Sequence, residues 1–351
     1  MIHRVVCYKE NEYSGWPANG GIWSWGNEIL VSFNRGTFED NSLFHRISEV
    51  NMQNVFARSY DGGLTWYEEE FDNSIYNNPI KPVPEEGFDF YDDFIMRVGK
   101  PSVTIKGDVY IISKNRGKSW HGPFVFPSFG RENTSRTSYI IEGNKKMLGF
   151  MSHNIMENKI NKPFYDRAFV ALTEDGGVSW RFVGDITCDM ARSVMPIAVR
   201  LSNNTLVVAL RRRLKREGFP IDDVWIEVKQ STDNGATWHT PVRASHTYNP
   251  DNPANSNGNP PALCKLKDDT LVLAYGRREP GKSSLRFCIS KDGGHTFIKD
   301  TVIREDAIDM DMGYSRIVAL PDGKCLVVYY IATKERPIQH IEATIFDPLN
   351  V

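Results

Sequence analysis

The 351 residues carry 42 Lys plus Arg against 44 Asp plus Glu, a balance that argues against a nucleic-acid partner, which a strong basic excess would announce. A hydrophobic share of 40% and an aromatic share of 12% are ample for a large buried core, and no run of eighteen apolar residues offers a membrane span. The five cysteines are scattered without CxxC spacing, so neither a disulfide framework nor a zinc site is expected.

The N-terminal stretch MIHRVVCYKENEYSGW lacks the apolar core of a signal peptide. An exported chain with its signal removed would read the same, so the compartment stays open. Next, NGGIWSW and WGNEILVSF alternate apolar and polar residues about a short turn, a strand–turn–strand signal. The long loop GTFEDNSLFHRISEV follows, then one more strand, then SYDGGLTW at residues 59–66. That eight-residue string returns as SKNRGKSW (113–120), TEDGGVSW (173–180), STDNGATW (231–238) and SKDGGHTF (290–297). Its third positions are Asp61, Asn115, Asp175, Asp233 and Asp292, at steps of 54, 60, 58 and 59 residues.

Each string reads as a hairpin that satisfies its own loop. The Asp or Asn accepts from nearby backbone amides as in an Asx-turn, Gly63 and its counterparts accept positive φ, and Trp66 and its counterparts open the next strand with an apolar anchor. Strand–turn–strand signals recur out of phase with the hairpins, at EGNKKMLGF, LSNNTLVVAL, LKDDTLVLAY and LPDGKCLVVYY. One unit is therefore four strands, and six units fit residues 1–351 as a single domain. The second unit, 94–127, is the least clearly patterned. The sixth lacks a hairpin string, and HRVVCY from the N-terminus is expected to complete it. The fold class is all-β: a six-bladed β-propeller of four-stranded antiparallel blades.

These hairpins resemble the Asp-box of the sialidase (neuraminidase) superfamily, and the stretches GWPANGGIWSWGNEILVSF, GNPPALCKL and DMGYSRIVALPDGKCLVVYY are similar to a bacterial sialidase-like branch. The resemblance covers nearly the whole chain. It implies a glycosidase acting on a carbohydrate with a carboxylate, an arginine triad that grips that carboxylate, and a tyrosine nucleophile at Tyr314. Two departures stand out. The segment NGGIWSW has no arginine where the family has Arg-Ile-Pro, and Met195 occupies the position of the glutamate that partners the tyrosine. Asp311 or Glu279 are the available stand-ins.

The hairpins lie on one face, so the chemistry is expected on the other, where second strands end. Aligning EILVSFNRG, TLVVALRRR and TLVLAYGRR puts Arg35, Arg212 and Arg277 in one phase. Three guanidiniums at one level of a ring would converge on its axis and suit a carboxylate. Arg211 and Arg213 should turn away or lie at the rim. Arg136 opens the third inner strand and could add a fourth cation. His45, in the long loop beside Asp40 and Glu49, and Asp93, before the second unit, are candidate proton donors. Trp16, Trp23 and Trp25 suit stacking on a sugar ring or packing between blades. The stretch 251–261 reads as a rigid rim loop.

No HExxH or Asp-rich calcium loop is present, so no metal or cofactor is expected. The leading expectation is an exo-acting glycosidase on a terminal anionic sugar, sialic acid or a uronate cap. A uronate lyase and a non-catalytic carbohydrate-binding propeller are the alternatives, with a protein-interaction scaffold behind them. Oligomeric state is not legible.

Overall fold

Local chemistry builds the hairpins. Ser59 Oγ accepts the Gly63 amide at 2.8 Å and donates to Asp61 Oδ1 at 2.9 Å. Asp61 in turn accepts the Thr65 amide at 2.9 Å and the Thr65 hydroxyl at 2.6 Å. The amide at Gly117, Gly177, Gly235 and Gly294 repeats the Gly63 bond, each at 2.8 Å. All five glycines take positive φ, between 85° and 97°. A side-chain-closed turn of this kind needs little help from the rest of the chain, which is why its sequence signature is so legible.

A computed structural model describes residues 1–40, 45–100, 109–155, 166–214, 223–247 and 258–350. Its strands form six antiparallel sheets arranged as propeller blades. Blade 1 has a broken inner strand, Glu12–Gly15 and Gly21–Trp25, then Glu28–Thr37, Gln53–Ser59 and Tyr67–Glu69. A one-turn helix, Pro17–Gly20, fills the break. Blade 3 repeats the broken inner strand with Glu132–Asn133 and Tyr139–Ile141. Blades 4 and 5 are regular four-stranded sheets starting at Arg192–Arg200 and Ala262–Lys265. Blade 6 runs Gly313–Ala319, Cys325–Ile331, His340–Phe346, and takes Ile2–Cys7 as its outer strand. His3 pairs with Thr344 and Arg4 with Ala343, so the N-terminus closes the ring as expected.

In blade 2 the described residues form three strands, Ile95–Val98, Val109–Ser113 and His121–Val125. Ile95 lies opposite Ser113, the first residue of the hairpin string, so Ile95–Val98 starts at the hairpin face and runs away from it. It has the direction of a second strand, not of an inner one. The inner strands of blades 1 and 3 meet instead, with Trp23 Nε1 donating to the Tyr139 hydroxyl at 2.9 Å.

The core is distributed between blades, not within one centre. One apolar cluster joins blades 6 and 1 through Val31, Phe33, Leu326 and Val328, and another joins blades 5 and 6 through Val272, Phe287, Val327 and Tyr329. The hairpin aromatics Trp66, Trp180, Trp238 and Phe297 each pack against such a seam. Burying apolar area between radial sheets fixes the ring without a helix layer. Among the described residues, no helix is long and apolar enough to cross a membrane.

Candidate active site

The face opposite the hairpins is built from irregular starts of inner strands. The ladder slips between Val194 and Ile197 in blade 4 and between Gly313 and Arg316 in blade 6. Met195 and Tyr314 sit in these bulges with left-handed φ of 58° and 44°, and Trp16, at the break in blade 1, has φ of 61°. Bulky residues adopt this conformation only when the surroundings impose it, at a cost of about 1–3 kcal/mol each. Ala18, Val194, Met195 and Tyr314 pack together. Three strained residues therefore meet at one place near the axis, and bulges re-aim their side chains there.

Tyr314 is the centre of a cationic cluster. Arg211 Nη1 donates to its hydroxyl at 3.0 Å, with the guanidinium carbon 5.8 Å from the ring centroid. The Arg278 guanidinium carbon lies 5.4 Å from the same centroid. Arg136 approaches from blade 3, donating through Nε to Asn19 Oδ1 at 2.9 Å and through Nη1 to the Thr134 carbonyl at 2.5 Å. Burial by itself would raise the Tyr314 phenol, but the charges of Arg211, Arg278 and Arg136 and the hydrogen bond from Arg211 outweigh it and hold the phenol below the ordinary tyrosine value. Burial also pulls Arg136 down to about 10. Arg192 adds a further positive charge beside Arg136 and Arg211, and its Nε is paired with Asp166 at 2.5 Å.

Asp311 organises the other side. Its carboxylate, fully buried, accepts from the Tyr13 hydroxyl at 2.6 Å and from the Tyr330 hydroxyl, and His45 Nδ1 lies 3.0 Å from Oδ1. Burial and the Asp311 charge push both phenols well above the ordinary tyrosine value, so both remain donors. Arg278 links the two halves: it donates to the Tyr330 hydroxyl at 2.9 Å and stands 3.8 Å from Asp311. Trp16 stands edge-on to His45 at 5.0 Å and so limits the ring's orientation. With Nδ1 turned to Asp311, the His45 side chain is 30% exposed.

The structure places Arg136 beside Tyr314, and His45 at Asp311, which Arg278 connects to the same cluster. Arg35, Arg212 and Arg277 do not converge. Arg35 is clamped by Glu68 at 2.7 and 2.9 Å and by Glu12 at 2.8 Å. Arg212 is fully buried against Asp189 and lies 5.4 Å from the Trp225 ring, and Arg277 pairs with Glu279. The phase was off by one residue, which turns every side chain to the other face. The facing positions are Asn34, Arg211 and Gly276, with Arg278 one pleat beyond Gly276. Arg211, expected to turn away, is a principal member of the cluster.

Asp93 is corrected as well. It pairs at 2.6 Å with Arg116 of the second hairpin string, which places it on the hairpin face, because the strand it precedes runs opposite to the inner-strand direction expected. Trp25 follows it there, donating to the Asp92 carbonyl at 2.6 Å and packing on Arg116, whereas Trp16 alone of the three tryptophans joins the site. Glu279 faces Arg277, and Asp311 holds Tyr330, Tyr13 and His45 instead of Tyr314.

Asn259 escaped the sequence reading. It is fully buried, accepts the Tyr314 amide at 2.8 Å and donates to the Met312 carbonyl at 3.0 Å. It belongs to the Pro/Asn-rich stretch read as a rim loop, of which 251–257 lie outside the described residues. Among the described residues, no group of three or more His, Cys, Asp or Glu is placed to hold a metal ion.

The chain is thus a six-bladed propeller closed by its N-terminal strand and built on this hairpin repeat. The chain belongs to the family described as BNR repeat-like domain, whose pattern matches residues 94–327. No curated protein matches its sequence. Among solved structures, it is similar to a protein of unknown function from Dyadobacter fermentans, with 20% identity, TM-score 0.73, and 98% and 97% of the two chains covered. An alpha-L-arabinanase of Penicillium chrysogenum complexed with arabinobiose shares 14% identity at TM-score 0.61, covering 100% and 99%. The intramolecular trans-sialidase of Ruminococcus gnavus, in complex with oseltamivir carboxylate, shares 14% identity at TM-score 0.58, covering 95% of each chain. At these identities the likeness concerns the fold.

Proposed function

We propose that the protein is an exo-acting glycoside hydrolase that removes a terminal anionic sugar, sialic acid or a uronate. The observation that carries this reading is the gathering of Arg136, Arg211 and Arg278 from three blades around Tyr314. Guanidiniums suit a carboxylate through paired N–H donors, and three of them fix the sugar ring relative to the tyrosine. The same charges favour the phenolate, which is the nucleophilic form. His45, held through Nδ1 by Asp311, supplies a proton from Nε2 to the leaving oxygen while Tyr314 Oη attacks the anomeric carbon or stabilises the cation formed there. Water then releases the sugar. That structural neighbours include an arabinanase and a trans-sialidase supports a carbohydrate as the substrate.

A second reading is favoured by the His45–Asp311 pair together with Met195 at the glutamate position: a lyase in which His45 takes the proton α to the clamped carboxylate of a uronate. Incubation with a sialoside, with uronate-capped oligosaccharides and with an oligosaccharide whose uronate carries a glycosyl group on O4, the leaving group that elimination needs, separates the two. Free sialic acid or free saturated uronate supports hydrolysis. An unsaturated product absorbing in the ultraviolet supports elimination. Binding without turnover of any of them, unchanged in Tyr314→Phe and His45→Ala, leaves a carbohydrate-binding propeller.

A further inference from the structure

Arg316 lies two residues beyond Tyr314 and crosses the ring below the candidate active site. From blade 6 its Nη2 donates to the Ala18 carbonyl of blade 1 and to the Thr137 carbonyl of blade 3, both at 2.5 Å. The residue is 6% exposed, and its Nε is buried without a hydrogen-bond partner. Among the described residues no carboxylate pairs with it. It lines a cavity of about 170 Å³ in the central channel whose other walls include Ile22, Ile197, Leu263 and Val318. Ser138 also lines this cavity, and its Oγ is a second buried polar atom without a partner. A guanidinium removed from water in apolar surroundings is costly unless an opposite charge accompanies it, and burial alone draws Arg316 down to about 10.

We propose that this channel cavity binds a small monovalent anion, of the size of chloride, held by Arg316 and Ser138. The anion supplies the negative charge that the protein omits, and it ties the inner strands of blades 6, 1 and 3 together. Blade 2 lacks a first inner strand among the described residues, so this junction is where the ring has least sheet structure to close it. The site is separate from the arginines around Tyr314, and it does not depend on the reaction proposed above.

The test compares chloride titrations of thermal stability for the wild type and Arg316→Met, with bromide-soaked wild-type crystals measured for anomalous scattering. The expected result is a rise of about 2 °C in Tm for each tenfold increase in chloride above its Kd in the wild type, lost in Arg316→Met. An anomalous peak should stand beside Arg316 Nε and Ser138 Oγ. Parallel titration curves for the two proteins, or bromide peaks confined to the cluster around Tyr314, overturn the proposal. If Arg316→Met does not fold, the bromide crystal decides by itself: a density without anomalous signal beside Arg316 is water, and the proposal fails.

Discussion

Arg211 Nη1 and the Tyr314 hydroxyl are joined by a 3.0 Å hydrogen bond between blade 4 and blade 6. In the proposed reaction this bond links a carboxylate-gripping cation to the phenol it faces, so the two side chains should be separable kinetically. Tyr314→Phe should lower kcat about 10²–10³-fold on the active substrate with a small change in KM. Arg211→Met should lower kcat and raise KM together, because both the carboxylate grip and the phenolate are lost. Steady-state kinetics on both variants checks this. A Tyr314→Phe enzyme with unchanged kcat would remove the tyrosine from the chemistry.

The Tyr314 phenol lies below its ordinary value of 10 in the folded protein, with burial opposing and the arginine charges prevailing. Its ionisation therefore favours the folded state. That contribution is complete above pH 10 and is lost as pH falls through the folded value. Ultraviolet titration of tyrosinate should show a component that ionises ahead of Tyr13, Tyr330, Tyr275 and Tyr329, all of which are raised. Tyr314→Phe should delete that early component, and Arg211→Met should move it to higher pH.

In the proposed reaction His45 depends on its orientation, which Asp311 sets at 3.0 Å. His45→Ala should cost about 10²–10⁴-fold in kcat. Asp311→Asn should cost about tenfold and shift the pH–rate profile, since the amide offers Nδ1 a weaker acceptor. A merely structural role for Asp311 would lower Tm without moving the profile. Measuring both quantities on the same preparation distinguishes the cases.

Gly313 has φ of +97°, and a Cβ there would come within 2.5 Å of Asn259 Oδ1, the atom that accepts the Tyr314 amide. Gly313→Ala should cost about 1–3 kcal/mol and displace Tyr314. Asp233→Ala, in a hairpin, should cost a similar amount by orphaning the Thr237 amide and hydroxyl, yet leave kcat unchanged. Chemical denaturation with activity assays on both variants tests the contrast.

Acid sensitivity should arise in blade 3. Burial first, then the charges of Arg131 and Arg167, pull His153 from 6.5 down to about 4. The stability tied to its neutral form is complete above pH 6.5 and is lost as pH falls through about 4. His153→Gln can still accept from Arg131, which lies 2.8 Å from Nε2. Its Tm should therefore fall less steeply than that of the wild type between pH 7 and pH 4.

The hairpin repeat was legible because each turn closes on its own side chains, as Asp61 does on Thr65 within five residues. Apolar alternation likewise announced four-stranded units, and the spare N-terminal strand announced how the ring closes. Tyr314 and His45 could be singled out by motif and loop length. The identity of the gripping arginines could not: Arg211 and Arg212 are neighbours on one strand, and a single step of register decides which meets Tyr314 and which meets Asp189. Direction is equally invisible. Asp93 precedes a strand in either case, but only its pairing opposite Ser113 shows that it lies on the hairpin face. The sequence determined blades, turns and the order in which they close, because those depend on contacts between near neighbours. The tertiary structure decided which charges share the axis, because bulges at Met195 and Tyr314 and the pairing of distant strands set where each side chain points.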